Sequence, residues 1–206
     1  MTAIPVALVS NDPEIADLLA RMPGFTPVGL FDRDPATVCE GLLVLGSDTD
    51  WSKVHAGRPD LKLVMAVDPT ALKAKLAAQY GADNFVRVIA PDAFVAGSAQ
   101  VGEGSVVQSG ARVLAKATLG RFTKVNGGVT VHHDCIVGDF CTLAPGSRLL
   151  GTVTLEDQVY VGAGVIILNR VRIGKGAVIG AGAVVIADVA AGETVAGVPA
   201  RPLRKN

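Results

Sequence analysis

The adjacent pair His133–Asp134 is the combination in this sequence best suited to moving a proton. An imidazole titrates near neutrality, and a neighbouring carboxylate can fix its tautomer and orientation, which is what a general base requires. The chain has only three histidines, His55, His132 and His133, and only His133 is followed directly by an acid. Seven residues before it stands Asn126, whose amide both donates and accepts. A His–Asp pair in a turn is also compatible with a plain solvated pair, so its meaning depends on the elements that hold it.

Those elements are set by a repeat. From Val95 to Val185 a Val, Ile or Leu recurs at every sixth residue, sixteen times without insertion, and the residue two places before each is small or β-branched. Positions two apart share one face of an extended strand. The remaining positions are rich in Gly, Asp, Asn and Lys, which suits tight turns between flat strands. Three hexads then form one triangular coil of eighteen residues, and the predicted fold is a prism-shaped parallel β-solenoid in which each aliphatic residue stacks on the one eighteen positions later. The equivalents of His133 one coil away are Ala115 and Gly151, which leave room around the imidazole.

Sorting the outward positions by coil separates three edges. One carries Glu103, Arg121, Asp139, Asp157 and Lys175 and reads as a solvated turn row. A second carries Gly110, Gly128, Gly146, Gly164 and Gly182, a smooth edge that permits close approach of a ligand to backbone. The third presents Leu114, His132, Leu150, Leu168 and Ile186, an apolar stripe beside His133. A sticky edge on a triangular prism predicts a homotrimer. Cys135 and Cys141 fall on the small inward position and read as core filler rather than as nucleophile or metal ligand.

Composition shifts near Pro91, so the expected organisation is an α/β unit over 1–90, the solenoid over 91–190 and a tail over 191–206. In the first unit residues 4–10 read as a strand, Asp12–Pro13 as the start of a helix through Leu19, Pro27–Phe31 and 61–67 as further strands, and Asp68–Pro69 as the start of a helix through Tyr80. Alternating strands and helices predict a small Rossmann-like parallel sheet. Ligands of such sheets bind at the carboxyl ends of strands, here Ser10 to Asp12, Asp32 and Asp68; Asp12 and Asp68 also read as helix caps. After the first strand the chain reads SNDPE, in place of a glycine-rich phosphate loop. Formal net charge is zero without a basic run, which argues against nucleic acid as a partner. Mean hydropathy is +0.43, yet no apolar stretch reaches membrane-spanning length and no signal peptide opens the sequence, so the expected setting is cytoplasmic, away from the membrane.

The segment VNGGVTVHHDCIVGDFCTLAPG (125–146), the strands VGLFD and VMAVD, and the tail GVPARPLR together resemble the hexapeptide-repeat family of sialic-acid O-acetyltransferases and bacillosamine-type nucleotide-sugar N-acetyltransferases. The resemblance implies a left-handed β-helix, acetyl-CoA as co-substrate without a metal, a nucleotide-sugar acceptor, and a trimer with its active site between subunits. It implies His133 as general base, Asp134 as the acid that raises its basicity, Asn126 as a substrate contact, and Thr142, Gly151, Ala163 and Ala181 as contacts to acetyl-CoA. With it, Ser10, Asp32 and Asp68 become candidate substrate contacts. The sequence departs from the family pattern at Thr142, where close relatives have His, at SNDPE, at Asp68 in place of a Gly, and at Arg33 in place of an acid.

The leading expectation is therefore N-acetylation of a nucleotide-linked amino-deoxy sugar in surface-glycan synthesis. Its alternatives are O-acetylation of a sugar, a zinc carbonic anhydrase on the same fold, which needs three converging histidines, and a non-catalytic trimeric scaffold or sugar-nucleotide sensor.

Overall fold

The computed structural model describes residues 3–203. Its first unit is a five-stranded sheet flanked by helices. Strand β1 (Ile4–Val9) pairs in parallel with β2 (Phe25–Phe31) on one side and with β5 (Lys62–Met65) on the other. A two-residue strand β3 (Val38–Cys39) turns back antiparallel to β4 (Leu42–Gly46), and β4 joins β2, giving the order β3-β4-β2-β1-β5. Helix α1 (Pro13–Ala20) starts as the sequence predicts: Asp12 is extended, its carboxylate accepts from the Ile15 amide at 3.1 Å, and Pro13 needs no donor at that position. The β3–β4 hairpin and the short helix α2 (Trp51–Gly57) lie in a stretch where the sequence alone indicates no element.

Helix α3 (Thr70–Tyr80) corrects one expectation. Pro69, not Asp68, occupies the N-cap and no side chain caps this helix. The Asp68 carboxylate is drawn instead to Lys124 of the solenoid, 3.1 Å away.

The solenoid begins with β6 (Val88–Ile89), which already pairs in the ladder of one prism face, so the first coil opens just before Pro91. Two-residue strands recur from there at every sixth position through Val184–Val185, paired in parallel at a spacing of eighteen residues until the last coil, where Val178 pairs with Thr194. They form three faces: one from Phe94–Val95 to Val184–Val185, one from Gln100–Val101 to Arg172–Ile173, and one from Val88–Ile89 to Thr194–Ala196. Residues 191–203 are not a separate tail. Thr194–Ala196 extends the third face, and Arg201–Pro202 folds back antiparallel upon it.

The inward aliphatic and small residues form one continuous core, fully buried for most of its length. Burying a large aliphatic side chain is worth about 1.5–3 kcal/mol, and the stack repeats that gain in every coil. Cys135 and Cys141 belong to this core, their thiols donating to the carbonyls of Leu150 and Glu156. Burial raises both thiol pKa values, that of Cys141 to about 12, which leaves them protonated and unreactive.

Candidate active site

The outward face of the third ladder docks the α/β unit. Its outward residues run Val106, Lys124, Thr142, Tyr160 and Val178. Val106, Lys124 and Thr142 are buried, Tyr160 is half-buried and Val178 is exposed, so the α/β unit covers the first coils and ends at Tyr160. Lys124 reaches into that unit and holds the carboxyl ends of two strands: its ammonium lies 2.7 Å from Asp12 Oδ2 and 3.1 Å from Asp68 Oδ1. Thr142 donates through Oγ1 to the Asp68 carbonyl at 2.6 Å. Lys73 of α3, fully buried, donates to the Cys141 carbonyl at 2.6 Å. Burial pushes the Lys73 amine down to about 7, because an ammonium with a single carbonyl partner is poorly solvated there.

The edge expected to be a solvated charged row also supports this joint. Phe122 and Phe140, next to Arg121 and Asp139, stack at 5.2 Å, and Phe122 meets Phe85 of the α/β unit edge-on at 5.3 Å. The aspartates of the row bond the coil below: Asp139 accepts from the Arg121 amide and Asp157 from the Asp139 amide.

Beside the Lys124 clamp lies a cleft of about 510 Å³. Its walls come from the SNDPE loop (Asn11, Asp12, Glu14), from Asp68, and from Lys124, Asn126, Pro145 and Tyr160 of the solenoid. Asn126 is nearly buried and anchored, its amide donating to the Leu143 carbonyl at 2.9 Å. The cleft opens toward the smooth edge, where Gly110, Gly128, Gly146, Gly164 and Gly182 all adopt φ between 67° and 70°, the left-handed corner that glycine accepts without strain. Ala163 and Ala181 are exposed on this edge. Among the described residues their amide N–H groups take no partner, which suits the amide-rich arm of an acyl-coenzyme A.

His133 stands on a different edge, between the first and second faces. Its Nδ1 lies 2.8 Å from Asp134 Oδ2. A carboxylate only accepts, so Nδ1 is the donor of this contact, and the neutral form of the ring has its lone pair on Nε2. Asp134 holds this position from a left-handed corner at φ 58°, fixed by its amide donating to the Ala115 carbonyl. The ring packs on Gly151, as the small equivalents of His133 predict. Among the described residues the Gly151 N–H has no intramolecular partner. Leu168 and Ile186 are exposed on this edge, while Leu114, His132 and Leu150 are half-buried, so the apolar stripe is present and strongest in the later coils.

Ser10, with φ 83°, and Asp32 line a separate cleft of about 220 Å³ at the carboxyl ends of β1 and β2. Asp68 lines the larger one. Thr142 requires a correction: with its side chain fully buried and its hydroxyl spent on Asp68, it cannot touch acetyl-CoA. His55 stacks on Trp51 at 4.5 Å inside the α/β unit, apart from the other two histidines. Among the described residues no group of three or more His, Cys, Asp or Glu is placed to hold a metal ion, and no helix is long and apolar enough to cross a membrane.

The family model for the bacterial transferase hexapeptide (six repeats) matches residues 152–187. Solved structures extend the likeness over the whole chain. PerB from Caulobacter crescentus, in complex with CoA and GDP-perosamine, is 29% identical, with 97% of each chain covered and a TM-score of 0.90. The acetyltransferase domain of PglB from Neisseria gonorrhoeae, in complex with acetyl coenzyme A, is also 29% identical, covering 98% of this chain and 100% of that one with a TM-score of 0.90. WeeI from Acinetobacter baumannii is 28% identical, covering 98% and 100% with a TM-score of 0.83. No curated protein sequence matches.

The chain carries the bacterial-transferase hexapeptide repeat on the fold of solved acetyltransferases.

Its solenoid is accordingly a left-handed β-helix behind a Rossmann-like unit. Two residues at the joint of the units that the motifs do not single out, Lys73 and Lys124, nonetheless carry a signal in the sequence. Lys73 lies in line with Leu76, Ala77 and Tyr80 at helical spacing, a charge on an apolar stripe. Lys124 shares its outward column with Val106 and Thr142, uncharged residues that mark a covered face.

Proposed function

We propose that this protein transfers the acetyl group of acetyl-CoA to the amino group of a nucleotide-linked amino-deoxy sugar. The observation that carries this reading is the orientation of His133, with Nδ1 committed to Asp134 and Nε2 left as a base. The α/β unit, with Ser10 and Asp32 at its strand ends, receives the nucleotide. In the larger cleft Asp12 and Asp68 are paired with Lys124, and Glu14, beside Asn126 and Tyr160, is the carboxylate left to receive a sugar that carries an amine. Ala163 and Ala181 offer backbone donors to the acyl carrier.

The acceptor nitrogen attacks the thioester carbon, forming the C–N bond. His133 Nε2 removes the proton from that nitrogen as its charge develops, and the free N–H of Gly151, the residue on which the imidazole packs, is a donor that can stabilise the oxyanion. Collapse breaks the C–S bond, and the proton passes from His133 to the departing sulfur, releasing CoA thiol and the acetamido sugar.

His133 and Asn126 project from different edges of one prism, so one chain alone does not bring the base to the larger cleft. We assign the missing partner to a second copy: a homotrimer packed on the apolar edge carries His133 of one subunit to the cleft of the next. Acetyl-CoA and sugar nucleotides are cytoplasmic metabolites, and we place the reaction there.

The test is thiol release from acetyl-CoA with a panel of nucleotide-linked amino sugars and their hydroxyl counterparts. Turnover confined to the amines supports the proposal. Turnover confined to the hydroxyls reassigns the enzyme to O-acetylation, and none with either removes the catalytic reading.

A further inference from the structure

The smaller cleft lies across three strand ends in sheet order. Ser10 comes directly after β1, Asp32 directly after β2 and Asp48 two residues after β4, and these strands are neighbours in the order β4-β2-β1. Phe31, Leu72 and Leu76 give the cleft an apolar lining that suits a flat ring. A nucleotide laid along the carboxyl ends of a parallel sheet runs from phosphate at the first strand, through ribose at the acid ending the second, to the base beyond it. This order places ribose at Asp32 and the base at Asp48.

Asp48 is held ready for that role. The phenol of Tyr80, itself 1% exposed, donates to Asp48 Oδ1 at 2.9 Å, and the Gln79 amide donates to the Asp48 carbonyl at 3.0 Å. The charged group facing the remaining oxygen is Arg33, whose Nε lies 3.9 Å from Oδ2 and whose side chain is 81% exposed. A pair that long and that exposed is weak and easily displaced.

We infer that Asp48 selects the base, and that the base is guanine. The inference rests on the nucleotide-sugar reading above. An ionised carboxylate only accepts hydrogen bonds. Among the common bases guanine alone offers two adjacent donors, N1–H and the N2 amine, to a carboxylate with two oxygens. The N3–H of uracil or thymine is flanked by carbonyls that a carboxylate repels, and the amines of adenine and cytosine adjoin a ring-nitrogen acceptor.

Calorimetric titration of the full-length protein with GDP, inosine diphosphate, UDP and xanthosine diphosphate tests this. GDP should bind at least about tenfold more tightly than UDP or inosine diphosphate, since a site built for donors rejects a base that lacks them. In Asp48→Asn the order of GDP and xanthosine diphosphate should reverse, because the amide donates to the C2 carbonyl of xanthine. Tyr80→Phe, which removes the bond positioning Asp48, should lower the preference for GDP while leaving UDP affinity unchanged. UDP or inosine diphosphate binding as tightly as GDP overturns the assignment, and this comparison needs no variant to fold. Binding without base preference removes the role of Asp48 alone, whereas failure of every diphosphate to bind overturns the nucleotide-sugar reading as well.

Discussion

The His133 imidazole rests directly on Gly151: a Cβ at position 151 would lie 2.8 Å from both Cε1 and Nε2 of the ring. Gly151 is outside the left-handed region, so alanine suits its backbone; the ring must move, while the Asn169 amide at 3.3 Å need give only slightly. Turning the ring breaks its 2.8 Å contact with Asp134. Gly151→Ala should therefore lower kcat by about tenfold to a hundredfold, the cost of a misplaced catalytic group. The melting temperature should stay close to wild type, which a thermal melt beside the kinetic assay will check.

Lys124 should be a stability residue rather than a catalytic one. Removing it by Lys124→Met leaves Asp12, nearly buried, facing Asp68, half-exposed, with no cation between them. Breaking a buried pair costs about 3–5 kcal/mol, and the exposure of Asp68 reduces this to about 2–3 kcal/mol. Denaturant titration should show that loss, and the double variant Lys124→Met with Asp12→Asn should recover part of it.

Lys73 predicts a pH dependence of stability. Its folded pKa is lowered from 10.5 to about 7, so between about pH 7 and 10.5 the unfolded chain binds a proton that the folded chain does not. Stability from this group therefore rises with pH across that window and is least below about pH 7. Lys73→Met should raise stability near neutrality by about 1–4 kcal/mol, as replacing a buried charge with an apolar chain does, and should flatten the rise. The Cys141 carbonyl keeps the Lys124 amide as its partner at 2.9 Å, so little is lost there. Chemical denaturation at a series of pH values will show both effects.

The apolar edge should hold the assembly. Leu168, 37% exposed, and Ile186, 49% exposed, lie one coil apart on the edge that carries His133. Leu168→Glu should convert a trimer into smaller species and take acetyl transfer with it. Light scattering coupled to size-exclusion chromatography will detect the change, and a native-sized trimer would separate this edge from assembly.

The solenoid is legible in the sequence because its repeat is local: each hexad states strand, inward residue and turn within six positions. His133 above Gly151 comes from the same arithmetic, since eighteen residues later is directly adjacent in space. The joint between the two units is not legible. Lys73–Cys141 and Lys124–Asp12 join residues 68 and 112 positions apart, and no period relates them. Thr142 shows the limit of reading a residue through a resemblance: its position in the hexad is right, but the face it stands on is covered by the α/β unit. Asp68 departs from its expected role for a related reason, because a cap is a local preference and a buried lysine is a stronger local demand.

The central claim is that His133 is the base of an acetyl transfer to a sugar amine. It is tested most directly by single-turnover and steady-state acetyl transfer from acetyl-CoA to a nucleotide-linked amino sugar, in wild type and His133→Ala, with trimer integrity measured in parallel. The account predicts CoA thiol released in equal amount to acetamido sugar, with kcat lowered by about 10²- to 10⁴-fold in an intact His133→Ala trimer. Wild-type rates in that variant, or no acetylated amine from the wild-type enzyme, would contradict it.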